Sequence, residues 1–390
     1  MELIEQLKSD ITLPFLILAG TASLFWLIQI LYYFIIYKKP YAYEHKREKI
    51  HALEVEQPSV SVVIASKNEA ESIARNLPVI LEQNYPNFEV IVVNMGSTDE
   101  TDTQLKLLSR KYPNLYHTYV PEEAESYNEK KLALTIGIKA AKNDILLFTE
   151  AYCKPVSDLW IQEFANEFKK GKEIVLGYCR LHIPKNVAMR KFISYDNLIH
   201  NLKFLSLALY HKPFMGISRN LAYKRELFFD QKGFSSVLFI ENGEDDLFIN
   251  RISKKRTTGV VVSSESMTAT HVVNKLNVWK NLKSKYLYTK KYYSGPSSLI
   301  FGFETFSKYL FYLSIAVGTT YGIVFKNMTM LLLGLFLFLT RYLIQLFVLN
   351  RYNKSFDSGK YYLTLPVFDI FQPISNLRLR KREKRKRSRK

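Results

Sequence analysis

Residues 13–37, LPFLILAGTASLFWLIQILYYFIIY, hold no charged side chain over 25 positions. A run of that length can cross the hydrocarbon of a bilayer with some tilt, and there the backbone must satisfy its own hydrogen bonds as a helix. The preceding MELIEQLKSD is acidic on balance and the run exceeds a signal-peptide core, which favours a retained transmembrane helix over a cleaved leader. A buried helix of a soluble core is the alternative. Two further runs, 306–325 and 328–349, are separated by Lys326-Asn327, the pattern of a tight helical hairpin. Lys308 and Arg341 lie close enough to the ends of these runs to snorkel, although an Arg in a span can instead mark a ligand pathway.

Flanking charge sets the orientation. YKKPYAYEHKREK (37–49) and RLRKREKRKRSRK (378–390) belong on the cytoplasmic side, so three spans with the N-terminus outside leave the long middle segment and the tail in the cytoplasm. The expected organisation is an extracytoplasmic N-terminus (1–12), a transmembrane helix (13–37), a basic juxtamembrane linker (38–57), a cytoplasmic domain (58–293), an interfacial segment (294–305), a transmembrane hairpin (306–349), a second interfacial segment (350–377) and a basic tail (378–390). The aromatic, weakly charged stretches GPSSLIFGFETF and YYLTLPVFDIFQP are expected to lie flat at the cytoplasmic surface and help roof a site. An apolar underside of the soluble domain would have the same composition.

The formal charge is +19, and the tail alone contributes a net +9. With Leu379 as its one apolar residue, the tail is expected to be disordered unless bound. Anionic lipid next to the last span is its natural partner, at roughly 1 kcal/mol per basic residue near the surface. RNA is the weaker alternative, because no aromatic side chain interleaves the charges to stack on bases. Cys153 and Cys179 are expected to be free thiols, and no Cys/His spacing suggests zinc.

Between the apolar runs, strand and helix patterns alternate. SVSVVIAS (59–66), VIVVNM (90–95) and DILLFTE (144–150) read as strands; ESIARNLPVILEQ, TDETDTQLKLLSRKY and EKKLALTIGIKAAK read as helices. Val- and Ile-rich strands alternating with helices predict an α/β domain whose central sheet is mostly parallel and covered on both faces. Ligands of such sheets sit at the carboxyl ends of the strands. Those ends are polar here: Ser66-Lys67-Asn68-Glu69, Asn94-Met95-Gly96-Ser97-Thr98-Asp99 and Thr149-Glu150-Ala151-Tyr152. Helix capping alone would explain STDET.

Taken in order, VSVVIASKNEAESI, FEVIVVNMGSTDET, KKLALTIGIKAAKNDILLFTEAYCKP, GISRNLAYKRELF and NGEDDLFI resemble family 2 inverting glycosyltransferases of the GT-A fold, in particular membrane-anchored bacterial ones. The resemblance covers about residues 58–293. It implies a Rossmann-like GT-A domain at the bacterial inner membrane that moves a sugar from a nucleotide-sugar donor to a lipid-linked or membrane-presented acceptor. Lys67, Asn68 and Glu69 would flank the base and ribose, Lys130 and Lys131 the diphosphate, and Asp245, beside Glu244, would be the general base. Asn220 belongs to the matched blocks as a substrate-side residue. Glu150 would be the single acid left to hold Mg²⁺ or Mn²⁺, hard ions that need oxygen ligands.

Several positions depart from the family pattern. Met95 stands where an aspartate would read the base, and Tyr152 where a second metal-binding acid would stand. Lys283, Lys285 and Tyr286 occupy the place of a Gln-X-X-Arg-Trp block, keeping charge but not the planar guanidinium fork. If no metal binds, Lys130, Lys131, Lys283 and Lys285 are the cations available to replace its charge. Two readings follow: a glycosyltransferase with a retuned donor side, or an inactive relative serving as scaffold or partner subunit of a membrane complex. Three spans are too few to build a wide polymer channel unaided, which argues against a processive synthase that also exports its product.

Overall fold

Every residue of β1 (Val60–Ser66) is buried, which a strand permits only when both faces of its sheet are covered. The computed structural model describes residues 10–47, 57–121, 128–254 and 256–387. Residues 1–9 of the expected extracytoplasmic end, 48–56 of the linker and the last three tail residues lie outside the described residues. β1 pairs in parallel with β2 (Phe88–Asn94) and β4 (Ile145–Phe148), and β2 pairs in parallel with β3 (Leu115–Tyr119). β8 (Leu221–Lys224) then runs antiparallel between β4 and β6 (Ile174–Gly177), and β9 (Thr258–Val261) closes the edge in the order β3-β2-β1-β4-β8-β6-β9. Chain order reverses beside β1, so the crevice for a ligand falls at the carboxyl ends of β1, β2 and β4. A second sheet, β5 (Cys153–Pro155), β10 (Thr268–Thr270) and β7 (Cys179–Leu181), is built of strands too short for sequence alternation to betray.

Alternate residues of each strand serve the two layers. Val62, Ile64, Val90, Val92 and Leu147 pack with helices α3 (Ala70–Leu81), α4 (Thr101–Lys111) and α6 (Trp160–Lys169). Val63, Ile91, Val93, Leu146 and Phe148 pack with α5 (Glu129–Ala140) and the buried α7 (Arg190–Leu209). Helix α5 sits unusually close to the sheet at Gly137, where a Cβ would lie 2.8 Å from Val63 Cγ1 and 3.2 Å from Val93 Cγ2. Short helices α8 (Arg225–Asp230) and α9 (Asp246–Ile252) follow β8, and α10 (Leu276–Thr289) leads to the apolar end of the chain.

The apolar helices are α1 (Leu13–Leu31), which runs through a π-helical turn at Tyr32–Tyr37 into α2 (Lys39–Arg47), then α11 (Ser297–Val324), α12 (Met328–Asn350) and α13 (Tyr352–Phe356). Two stretches, Leu13–His45 and Met328–Phe356, are long and apolar enough to cross a membrane. The third expected span, within α11, does not meet that measure, because Glu304, Lys308 and a run of Gly, Thr and Tyr dilute its hydropathy. It packs nonetheless along both α1 and α12.

Lys308 and Arg341 do not snorkel. Both are buried: Lys308 Nζ lies 2.8 Å from Asp369 Oδ1 and Arg341 Nη2 lies 2.6 Å from Asp369 Oδ2. Arg341 also donates to Gln29 Oε1 at 3.0 Å and to Tyr312 Oη at 2.9 Å. Asp369 belongs to α14 (Leu365–Arg387), the helix that takes up most of the expected interfacial segment and tail. The tail expected to be disordered is therefore helical through Arg387, whose guanidinium lies 2.5 Å from Glu241 and over the ring of Tyr288. Packing on α10, together with these two contacts, offsets the repulsion among its basic residues.

Candidate active site

The turn after β1 and the turn after β2 are tied to one another. Asn68, in the left-handed region at φ 54°, accepts from Thr98 N at 2.8 Å and donates its own N–H to Ser97 Oγ at 2.9 Å. Asp99 accepts from Ala70 N, from Thr101 N and from the Thr101 hydroxyl, so it caps α3 and α4 at once. Lys67 leaves this turn to pair with Glu129 at 2.5 Å, with both side chains largely exposed. Glu69 is partly buried near Glu150, and burial, then Glu150, push its carboxyl above the ordinary range. Met95 rests against the apolar core.

Across the crevice, three elements converge. Helix α5 supplies Lys130 from its first turn, the end of β4 supplies Glu150, and the segment before β8 supplies Ser218. Lys130 Nζ lies 2.6 Å from Glu150 Oε1 and 3.1 Å from Glu244 Oε1, one ammonium shared by two buried carboxylates. Burial opposes its charge, but the two acids outweigh that and hold its pKa well above the usual lysine value. Glu244 shows the reciprocal effect: burial favours its neutral form, yet Lys130 keeps it ionised below the ordinary range. Glu150 also accepts from Ser218 Oγ at 2.6 Å.

Asn242 (φ 63°) and Gly243 (φ 90°) turn the chain sharply into Glu244 and Asp245. A Cβ at Gly243 would lie 2.6 Å from Leu247 Cδ1, so the turn closes only with glycine. Asp245 caps α9 through Asp246 N at 2.8 Å, while its other oxygen accepts from Ser218 N and from Tyr286 Oη, each at 2.9 Å. Burial, then the neighbouring Glu244, raise its pKa, as befits a base that must keep some affinity for a proton. Asp246 is buried deeper, is held by Thr289 and Tyr293, and is pushed up further.

The structure thus brings Lys130, Glu150, Glu244, Asp245, Lys285 and Tyr286 around one small polar pocket of about 30 Å³. Other expected site residues lie elsewhere. Asn220 is structural: its oxygen accepts from Trp160 Nε1 and its amide donates to the carbonyls of Tyr178 and Ser266. Lys131 is buried with its ammonium on the carbonyls of Val237 and Ile240, and burial lowers its pKa to about 8. It fastens the loop before Glu244. Lys283 turns away to pair with Asp196. Asn68 spends its side chain on the neighbouring turn.

Two residues beside the pocket escaped the sequence reading, Ser218 and Arg219. Both lie inside GISRNLAY, next to Asn220. Arg219 is 6% exposed, and its Nε has no hydrogen-bond partner among the described residues. It lines the polar pocket and also a second, larger cavity of about 160 Å³ that shares Arg219, Leu282 and Tyr286 with it.

Residues 61–230 match the family described as Glycosyl transferase family 2. Glycosyltransferase AglE of Haloferax volcanii is 31% identical over 145 residues, which span 36% of this chain and 46% of that protein. A poly-beta-1,6-N-acetyl-D-glucosamine synthase of Staphylococcus epidermidis is 28% identical over 130 residues, 33% of this chain and 29% of the synthase. The chain thus spans less than half the length of these curated relatives. Among solved structures, mannosyltransferase PcManGT from Pyrobaculum calidifontis, in complex with GDP-Man and Mn²⁺, superimposes with a TM-score of 0.49 at 17% identity, over 82% of this chain and 96% of that one. S. aureus TarS 1–349 gives 0.41 at 14% identity, over 68% and 74%.

Proposed function

We propose that this chain, whose residues 61–230 match Glycosyl transferase family 2, transfers a sugar from a nucleotide-sugar donor to a membrane-presented, lipid-linked acceptor with inversion at the anomeric carbon. The observation that carries this is the Lys130 bridge: a partly buried cation between the buried carboxylates of Glu150 and Glu244, one residue from a base candidate whose pKa is raised, at the carboxyl ends of the parallel strands. In the step, the acceptor hydroxyl gives its proton to Asp245 as its oxygen bonds to the sugar's anomeric carbon. The bond from that carbon to the diphosphate breaks, and the nucleoside diphosphate leaves with the electron pair. Tyr286 and Ser218 N hold the Asp245 carboxylate in place for that transfer.

The side chains present do not fit a divalent ion. Glu150 and Glu244 are already occupied by Lys130, the next candidate position is Tyr152, and no group of three metal-ligating side chains occurs among the described residues. Burial, then Glu150, keep the Tyr152 phenol protonated. Charge on the departing diphosphate falls instead to Lys130 and to Lys285, which lines the same pocket.

The membrane part of this reading takes α11 as a third span beside α1 and α12, with the N-terminus outside and the catalytic domain and α14 in the cytoplasm. Its support is the packing of α11 along both apolar helices and the basic residues after α1 and in α14.

Calorimetric titration of the full chain in detergent with UDP, GDP, UDP-GlcNAc and GDP-mannose, in EDTA and in Mn²⁺, tests it. Binding of one nucleotide that changes no more than about threefold with Mn²⁺ is expected. Binding that vanishes in EDTA overturns the metal-free assignment. A folded protein that binds none of them overturns the donor site and leaves a scaffold.

A further inference from the structure

Resting on that reading, we infer that the acceptor lipid carries a phosphate or diphosphate headgroup, and that Arg219 binds it in the larger cavity while the reacting hydroxyl reaches through to Asp245.

The cavity is walled by α7 and α10 of the catalytic domain, by the first turns of α11 and by the middle of α14. Phe214, Trp279, Leu287 and Phe301 make its surface largely apolar. Its α11 wall continues as the helix that packs along α1 and α12, so a ligand leaving this way emerges beside the apolar helices. A chain of methylenes suits such walls; a soluble nucleotide or a free sugar would leave them unsatisfied.

Charge tells what the head of that chain must be. Four cations line the cavity, and two of them are already neutralised: Lys203 Nζ lies 2.6 Å from Glu304 Oε2, and Lys283 pairs with Asp196. Arg219 and Lys290 have no acidic partner among the described residues. Lys290 is exposed, which costs nothing, but Arg219 is buried with its Nε unbonded. A guanidinium in that state is expensive unless an anion completes it, and phosphate oxygens match its planar fork. His200 adds a second unfilled position: its Nε2 has no partner, and burial lowers its pKa to about 3, so the ring is neutral and free to hydrogen-bond.

Position then orders the acceptor. Arg219 lies at the junction of the two cavities together with Tyr286, whose hydroxyl touches Asp245. The cations of the polar pocket, Lys130 and Lys285, are assigned to the donor's diphosphate, so the acceptor's phosphate falls to the other cavity. Held on the Arg219 side it is neutralised, with a neutral hydroxyl beyond it directed at the base.

The test uses full-length protein in detergent with farnesyl phosphate, farnesyl diphosphate, farnesol and UDP as probes, titrated against the natural chain, Arg219→Gln and Lys290→Gln. The natural protein should bind either prenyl phosphate at least about tenfold more tightly than farnesol, the scale of a lost charge-assisted hydrogen bond. Arg219→Gln should abolish that preference and leave UDP binding within about threefold. Lys290→Gln, on an exposed side chain that the fold does not need, should reduce it severalfold, which keeps the assignment testable if Arg219→Gln fails to fold. Equal binding of prenol and prenyl phosphates by the natural chain overturns the inference, and so does an Arg219→Gln protein that loses UDP while keeping the lipid preference, since Arg219 then serves the donor. UDP binding with no prenyl phosphate binding overturns the inference but leaves the transferase reading standing. Prenyl phosphate binding without any nucleotide does the reverse.

Discussion

Lys130 is the side chain on which the candidate site turns, because it is the cation that two buried carboxylates share. Removing one partner of a buried pair costs about 3–5 kcal/mol, since it leaves uncompensated charge behind. Lys130→Met should therefore lower the melting temperature by several degrees and abolish nucleotide binding, which differential scanning fluorimetry and calorimetry would separate. Asp245→Asn should behave differently: shape and most hydrogen bonds survive, so the protein should melt within a few degrees of the natural chain while turnover falls by about 10²-fold or more. The pKa of Asp245 is raised in the fold, so the base becomes competent only as pH climbs through that raised value, and the rate should fall on its acid side. The same sign makes its ionisation oppose folding: the native state binds more protons than the unfolded one, so this group's contribution to stability declines as pH rises above the ordinary aspartate value. A rate profile that is flat below neutrality would remove Asp245 from the mechanism. In the sequence, Glu150, Glu244 and Asp245 are visible because they follow a strand or cap a helix in ordered blocks. Lys130 is visible but its bond to both acids is not, and Arg219 hides because nothing local distinguishes a buried arginine from a surface one.

At the scale of elements, the strands and helices that flank the crevice are legible because they obey short-range rules. The VSVVIAS and DILLF runs fall on β1 and β4, and the helices at Ala70–Leu81 and Glu129–Ala140 differ from the sequence reading only at their ends. What resists reading is whatever depends on a distant partner. Strands of three residues carry no period, and the basic tail becomes a helix because α10 and Glu241 receive it. The charges in α11 and α12 point inward because Asp369 lies between them, from a helix that begins 24 residues after Arg341. Asp369→Ala should strand Arg341 in an apolar bundle, while Lys308 keeps Glu304 at 3.2 Å, and destabilise it by about 3–5 kcal/mol, with Asp369→Asn falling in between. Thermal unfolding of the detergent-solubilised protein reads this directly. A change under 1 kcal/mol would mean that water reaches the cluster.

For the whole molecule, the question is on which side of a membrane each part stands. With Cys153 and Cys179 buried and replaced by alanine, single cysteines at positions 326 and 380, both exposed, should label asymmetrically in intact cells: an impermeant maleimide should reach 326 and not 380. The opposite pattern overturns the three-span reading, and labelling of neither or both reduces it to helices that do not cross. One contact gives the arrangement a practical edge. Arg387, in the last described turn of α14, grips Glu241, three residues ahead of the carboxylate that shares Lys130. The far end of the basic helix is thus a handle on the loop that carries the base: a protease trimming α14, or a polyanion prising it loose, would reach the chemistry without entering the catalytic cleft.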